Sequence, residues 1–498
     1  MSSVIDVATT TLDRPPVLDD TALLGHPRGL GLLFMVEMWE RFSYYGMRAL
    51  LVLYLVNYLH WGVAGASKLY GTYTALVYLT PLIGGYLADR FIGTRRSLVI
   101  GGIIIACGHF ALAFESMPTF YLGLALIIIG TGFFKPNVST MVGQIYRDND
   151  DRRDSGFTIF YMGINLGAAL APIVCGYLGQ NVGWRYGFAA AGVGMVLGLI
   201  TYLWGVNKYL PGIGLTRKDP NNAAAVAAEL ITTEHHIPMM PGIIGAAIGA
   251  LIAFLANGGW LGAFFGIMSG ATFGFTFFGT KGEERKRVIA LFLVFFFVIF
   301  FWMAYEQAGS SMTIFADQHT RLQFGSFTFP SSWFQAINPI FILALAPVFA
   351  GVWTGLTRKG GGPSTTLKMV LGLVFLSLGF VLMVFAGGFA DHGLKVSPLW
   401  LTGAYLLHTC GELCLSPVGL SYVTKVAPFR FASLLMGGWF LANAAANWLA
   451  GNLAALTEKM ANHQQQFFEI FVVTSLGAAI AMFLIVPLLK RLTKSVNA

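Results

Sequence analysis

Fourteen membrane-spanning helices, grouped as two six-helix bundles plus a two-helix insert, are the architecture this sequence predicts: an all-α polytopic membrane protein. Three observations carry that expectation. Of 498 residues, 56% are hydrophobic and only 11% are charged, whereas a soluble chain is about one-quarter charged. The apolar residues fall into runs of about 20, the length that crosses a bilayer as a helix. The basic residues gather in the short connections between alternate runs, the pattern of a membrane protein that keeps its positive loops cytoplasmic.

The N-terminal tail, residues 1–28, is polar and holds Asp6, Asp13, Asp19 and Asp20. It offers no cleavable signal, so the first span is expected to direct insertion. The first bundle, 29–207, comprises runs at approximately 29–58, 67–88, 97–115, 119–145, 156–178 and 185–206. Residues 208–287 form a linker and insert. Pro211, Gly212, Gly214 and Pro220 mark the linker; Gly- and Ala-rich spans at 237–256 and 259–279 follow, closed by Lys281-Gly-Glu-Glu-Arg-Lys-Arg287. The second bundle, 288–489, holds runs at 288–316, 332–355, 367–388, 398–424, 431–455 and 467–489, before a tail of 490–498.

Orientation follows from the loops. Arg90, Arg95 and Arg96, then Arg147, Arg152 and Arg153, then Arg358, Lys359 and Lys368, then Lys425 and Arg430, and finally Lys490, Arg491 and Lys494 share one side. The opposite loops hold mostly single charges, Lys68, Arg321, Lys395 and Lys459. Both termini are therefore expected in the cytoplasm. This distribution accounts for the formal charge of +8 without nucleic acid. Cys107, Cys175, Cys410 and Cys414 all lie in apolar runs and read as small buried hydrophobes without disulfides. Cys410 and Cys414 have i, i+4 spacing, but no His cluster accompanies them, so no metal is expected.

One apolar stretch carries charge where it should not: Phe34-Met-Val-Glu37-Met-Trp-Glu40-Arg41-Phe-Ser-Tyr44-Tyr45-Gly-Met-Arg48. On a helix Glu37, Glu40, Arg41, Tyr44, Tyr45 and Arg48 recur at three- and four-residue steps and cover one side. Each ion at mid-bilayer costs about 2.5 kcal/mol or more, so these must face partners or a wet cavity. Lys135, Glu306 and Glu412 lie deep in later runs. The set counts four acids and three bases, one negative charge in excess, which a single bound proton neutralises. That suggests a carboxylate that titrates in a working cycle. So many buried ions are poor stabilisers, and a transport pathway is the better explanation.

Three polar residues directly precede a proline: Lys135-Pro136, Asn338-Pro339 and Ser416-Pro417. A proline inside a helix frees a carbonyl and lets the helix bend, so each pair reads as a ligand site beside a hinge. Asn165 adds an amide at similar depth. Trp302 shares a face with Glu306 and is expected to line a cavity; Trp439 and Trp448 are further aromatics of the second half, Trp448 reading as a belt or packing residue. His109 and His408 read as packed histidines rather than proton carriers. Gly84-Gly85-Tyr-Leu-Ala-Asp89-Arg90 to Arg96 links spans two and three, and Gly351-Val-Trp-Thr-Gly355-Leu-Thr-Arg358-Lys359 holds the equivalent place later. Such parallel repeats predict a binding site at mid-depth between the halves, open to each side in turn.

At these residues the sequence resembles the proton-dependent oligopeptide transporter family of the major facilitator superfamily. Glu37-Met-Trp-Glu40-Arg41 matches that family's ExxER-type motif, and Asp89 to Arg96 resembles the superfamily loop motif. Phe133-Phe134-Lys135-Pro136-Asn137, Phe160-Tyr161-Met-Gly-Ile-Asn165, Glu306-Gln307, Asn338-Pro339 and Glu412-Leu-Cys-Leu-Ser416-Pro417 fit its other signatures. The two-helix insert resembles the bacterial branch. The resemblance implies a major facilitator fold in the cell inner membrane and import of di- and tripeptides with protons, without cofactor beyond the proton as coupling ion. It implies Arg41, Tyr45 and Lys135 as the pole for the peptide carboxylate, and Asn165, Asn338 and Glu412 as holders of the amino end. Tyr44, Tyr78 and Trp302 would contact side chains, and Ser416 and Trp439 complete the substrate-binding set. Glu37, Glu40, Arg41 and Glu306 would couple protons; Arg48 with Glu306, and Lys135 with Glu412, would gate the two sides. A monomer in the lipid bilayer is expected.

The residues themselves agree with those assignments, because a short peptide is a zwitterion that needs one cationic and one anionic pole. The alternative is the same fold carrying nitrate or another small organic ion, which the acidic Glu412 disfavours. A membrane-embedded enzyme is not expected: no HExxH, paired-aspartate, G-x-G-x-x-G or P-loop pattern occurs. Ser416 and His408 share a helix eight residues apart, about 12 Å by helical rise, too far for nucleophile and base.

Overall fold

The computed structural model describes residues 16–147, 150–215, 239–255, 258–358 and 361–496. Asp6 and Asp13 of the tail, Pro220 with most of the linker to His236, and Lys359 lie outside the described residues, as does the side chain of Asp89.

Helices occupy all fourteen apolar runs. In chain order they are α1 Arg28–Leu53, α2 Val63–Leu87, α3 Thr94–Leu112, α4 Met117–Gln144, α5 Arg152–Tyr177 and α6 Trp184–Tyr209. The insert gives α7 Met239–Leu255 and α8 Gly259–Gly279. Then come α9 Gly282–Tyr305, α10 Ser311–His319, α11 Phe334–Arg358, α12 Thr365–Asp391, α13 Pro398–Val426, α14 Ala432–Ala454 and α15 Gln464–Leu492. One expected span, 288–316, is thus two helices, α9 and α10, joined by a 3-10 turn at Glu306–Gly309. A short hairpin, β1 Gln323–Phe324 and β2 Phe327–Thr328, follows α10. Among the described residues nine helical stretches are long and apolar enough to cross a membrane by length and composition alone. The charges of α1 exclude it from that set, and α7, at 17 residues, is slightly short.

Local chemistry sets several boundaries. Ser116 caps α4 by accepting the Thr119 N–H, and Ser364 caps α12 by accepting that of Leu367, each satisfying a helix-end donor that has no partner within the helix. Pro398 opens α13 behind its cap Ser397, where the missing proline N–H costs nothing. Gly93 separates α2 and α3 at φ 87°, a conformation that a side chain disfavours. Pro136, Pro339 and Pro417 all fall inside helices.

The chain divides into two compact units, residues 1–50 with 80–234, and residues 51–79 with 235–498. In the first unit, Leu30, Leu33 and Val36 of α1 share a core with Leu98 of α3, Phe134 of α4 and Met195 of α6. The basic loop residues of this unit also bind its backbone. Arg152 holds Asp150 and donates to the carbonyls of Gly25 at 3.0 Å and Leu18 at 3.2 Å, while His26 meets Tyr146 at 2.9 Å. Arg95 donates to the carbonyls of Ile213, at 2.6 Å, and Leu210. The Arg152 pair pulls the Asp150 carboxyl down to about 2 through its side-chain hydrogen bond, so this anchor persists as a charged pair throughout the physiological range.

In the second unit the α1–α2 corner is tied to later elements. Asn57 Nδ2 donates to Asp317 Oδ2 at 2.9 Å, and the Ala64 N–H donates to Glu458 Oε2 at 2.6 Å. The insert is a glycine-faced hairpin. A Cβ at Gly249 would lie 1.9 Å from the Gly266 carbonyl oxygen, and one at Gly270 would lie 2.0 Å from that of Gly245. Lipid offers no hydrophobic drive to pair apolar helices, so close backbone approach through small residues does so instead. Trp448 of α14 then covers Gly262 and Phe265, the rings of Phe265 and Trp448 lying 6.1 Å apart. Trp448 is therefore a packing residue. Gly266→Val is expected to force α7 and α8 apart and to lower stability by about 1–3 kcal/mol, read as a lower melting temperature of detergent-solubilised protein.

Candidate functional site

The first unit brings its charged residues together on α1. Arg41 Nε lies 3.1 Å from Glu37 Oε1, one helical turn away, and the same guanidinium also pairs with Glu40. Glu37, Glu40 and Arg41 are 3%, 1% and 4% exposed, and Arg48 is 7% exposed, so none of them faces lipid. The guanidinium of Arg41 sits 5.3 Å from the Tyr44 ring centroid, and that of Arg48 sits 5.7 Å from the Tyr45 ring, distances at which a ring face stabilises a cation. Tyr44 and Tyr45 themselves meet edge to face at 5.1 Å. The expected helical stripe is thus a continuous ladder of acids, cations and rings.

Lys135, half-buried on α4, feels the charges of Arg41, Glu40, Glu37 and Arg48. Two guanidiniums and one ammonium therefore share a neighbourhood with two carboxylates. One oxygen on each acid, Glu37 Oε2 and Glu40 Oε1, is buried with no hydrogen-bond partner among the described residues. A buried acceptor without a donor is costly. Asn165, buried on α5, donates to the Tyr161 carbonyl of its own helix at 2.9 Å.

The second unit builds an acidic pole. Glu412 of α13 is 8% exposed. Its Oε2 accepts from the Tyr305 hydroxyl and, at 3.0 Å, from Asn338 Nδ2. Asn338 also donates to Thr409 Oγ1 at 3.0 Å, and Thr409 in turn donates to the Tyr405 carbonyl at 2.7 Å. Glu412 is thereby held by side chains of two other helices, α9 and α11. Tyr305 and Thr409 were not foreseen as site residues. Thr409 was legible as the i, i+3 neighbour of Glu412 on one face of α13; Tyr305 was not, since its position depends on where α9 breaks.

Glu306 opens that break and is 2% exposed, within electrostatic reach of Glu412. Gln307 secures the turn: its Nε2 donates to the carbonyls of Met303 and Ala450, both at 3.1 Å, and its Oε1 accepts from Ser311 at 2.6 Å. Trp302 packs edge to face on Tyr305 at 5.1 Å, and its indole N–H is buried with no partner among the described residues. Trp302 and Tyr305 are therefore adjacent to the acidic pole. Ser416 is half-buried on α13 and Tyr78 is half-buried on the part of α2 that belongs to the second unit. Trp439, at 5% exposed, lies in the apolar core of this unit, over Gly419 and 6.3 Å from the Phe295 ring. His109 and His408 are buried, and the His408 ring lies 4.6 Å from that of Phe380. Among the described residues no group of His, Cys, Asp or Glu is arranged to hold a metal.

Known proteins share this architecture. The model of the POT family matches residues 95–470. The chain is 40% identical over 487 residues to an uncharacterized transporter, YclF, of Bacillus subtilis, covering 95% of this chain and 96% of that one. It is 35% identical over 494 residues to a di-/tripeptide transporter of Lactococcus lactis subsp. cremoris, covering 95% and 97%. Among solved structures, a peptide transporter POT in complex with sulfate superposes with a TM-score of 0.78 at 37% identity, covering 98% of this chain and 99% of that one. A POT family transporter in complex with a thioalcohol conjugated peptide gives a TM-score of 0.79 at 30% identity, covering 94% and 98%.

Proposed function

The chain belongs to the POT family, and on that premise we propose that it is a proton-coupled symporter importing di- and tripeptides by alternating access. The observation that carries this reading is the separation of charge: a guanidinium pole on α1 in one unit, a hydrogen-bonded carboxylate on α13 in the other. The first suits a peptide's carboxylate and the second its ammonium group. Neither pole addresses side chains, so many sequences can be carried at similar cost. A lone anion such as nitrate would leave Glu412 without a counter-charge.

Coupling follows from competition for Arg41. While Glu37 and Glu40 are ionised, the guanidinium is occupied by both. A proton on either acid removes its negative charge and weakens that hold, leaving N–H donors for an incoming carboxylate. Each ligand then favours binding of the other, as linkage requires. Glu306, buried at the turn between α9 and α10, is the proton-handling acid of the second unit, and Arg48 and Lys135 are the cations of the gating pairs. The chain works as a monomer in the cell inner membrane with both termini in the cytoplasm, and uses no cofactor besides the proton.

The test is uptake by proteoliposomes. Wild-type protein is expected to accumulate a labelled dipeptide under an inward proton gradient, and excess unlabelled dipeptide, but not nitrate, is expected to compete. Glu37→Gln or Glu40→Gln is expected to reduce gradient-driven accumulation at least tenfold while peptide exchange persists. Accumulation that ignores the gradient in the wild type would overturn the coupling.

A further inference from the structure

The reverse side of the charged α1 ladder borders a groove that the transport reading leaves unused. It lies within the first unit, has a volume of about 530 Å³, and is walled by Trp39 and Phe42 of α1, Leu170 and Val174 of α5, and Val193 and Leu197 of α6. Leu170 and Val174 are each 41% exposed and Val193 is 50% exposed, so the groove opens outward at membrane depth. Its α6 wall runs from Tyr186 to Leu197, about 16 Å by helical rise. That is close to one leaflet of a hydrocarbon core about 30 Å thick.

A cation stands beside one end of this apolar groove. Tyr186 lines it, and Arg185 donates from Nη2 to the Tyr186 hydroxyl at 3.1 Å, its guanidinium lying 4.8 Å from the Tyr186 ring centroid. Arg185 is exposed, in the first turn of α6, and Glu115 Oε1 accepts its backbone N–H at 3.0 Å. A single-leaflet apolar slot with a guanidinium at its mouth has the dimensions and charge of one ligand class. We propose that this groove is a phospholipid site, with one acyl chain seated between α1, α5 and α6 and the phosphate held by Arg185. The volume falls within the range of small-ligand sites, about 300–1,000 Å³, and arginine matches phosphate geometry with paired donors. The chain would pack against Trp39 and Phe42, on the same turns that carry Glu40 and Arg41, and so hold those turns in place from behind.

The experiment uses the full-length protein in detergent with phosphatidylglycerol carrying a photoactivatable diazirine near the end of one acyl chain, followed by peptide mapping. Adducts are expected on α5 and α6 at the groove and to be displaced by unlabelled phosphatidylglycerol. Arg185→Gln is expected to weaken labelling at limiting lipid about tenfold, the worth of a charge-assisted contact. The corresponding diacylglycerol probe, lacking phosphate, is expected to label weakly and to ignore Arg185→Gln. Ala190→Trp, which fills the groove, is expected to abolish the groove adducts; where that variant is not recovered folded, Val193→Phe carries the same expectation. Adducts spread evenly over the outward-facing helices, α7 included, or unchanged in the filled and Arg185 variants, would overturn the proposal.

Discussion

Arg41→Gln is expected to abolish gradient-driven peptide uptake and to lower the stability of the protein together. The guanidinium is the counter-charge of both Glu37 and Glu40, and all three are almost wholly buried. Removing one partner of a buried pair costs about 3–5 kcal/mol, because the remaining charge stays without compensation. Here two carboxylates remain, so at least one must take a proton. The double variant Arg41→Gln with Glu40→Gln is expected to recover much of the lost melting temperature in detergent and none of the uptake. That pattern separates a structural debt from loss of the peptide's carboxylate partner. Arg41→Lys is expected to be stable yet poorly active, since an ammonium cannot engage two carboxylates with the planar fork of a guanidinium. Normal uptake by Arg41→Gln would remove Arg41 from the site.

Glu412→Gln should fold and lose affinity. The amide keeps an oxygen for Tyr305 and Asn338, but the negative charge for a peptide ammonium is gone. Truncating one side of a buried charged contact costs about 2–5 kcal/mol, equivalent to a loss of about 30-fold or more in apparent affinity. Competition against labelled dipeptide uptake measures it. The diagnostic comparison is N-acetyl dipeptide against free dipeptide: wild-type protein is expected to prefer the free amine strongly, and Glu412→Gln to bring the two close together. Preserved preference in the variant would place amine recognition elsewhere.

The charged ladder of α1 was legible because ions in an apolar run are costly enough to demand an explanation. Glu412 was legible for the same reason, and Asn338 by the proline beside it. Tyr305 was not, since a tyrosine among aromatics reads as packing until the break at Glu306–Gly309 is known. Trp439 shows the opposite problem: its chemistry fits a ligand wall, yet Gly419 makes room for the indole inside the core. The basic loops read as topology signals, and Arg95 and Arg152 also clamp backbone carbonyls, a use that charge counting does not distinguish.

What the chain's residues determined alone were the number and order of the spans and the short list of ions set below the membrane surface, because hydrocarbon penalises charge and bare backbone so heavily that both leave a periodic trace. Only the folded packing decided which side chains hydrogen-bond Glu412, where the ninth run breaks, and which tryptophan is core. Those outcomes rest on distances of an ångström or two between distant segments, set by glycines and prolines that let helices approach or bend, and no local pattern encodes them.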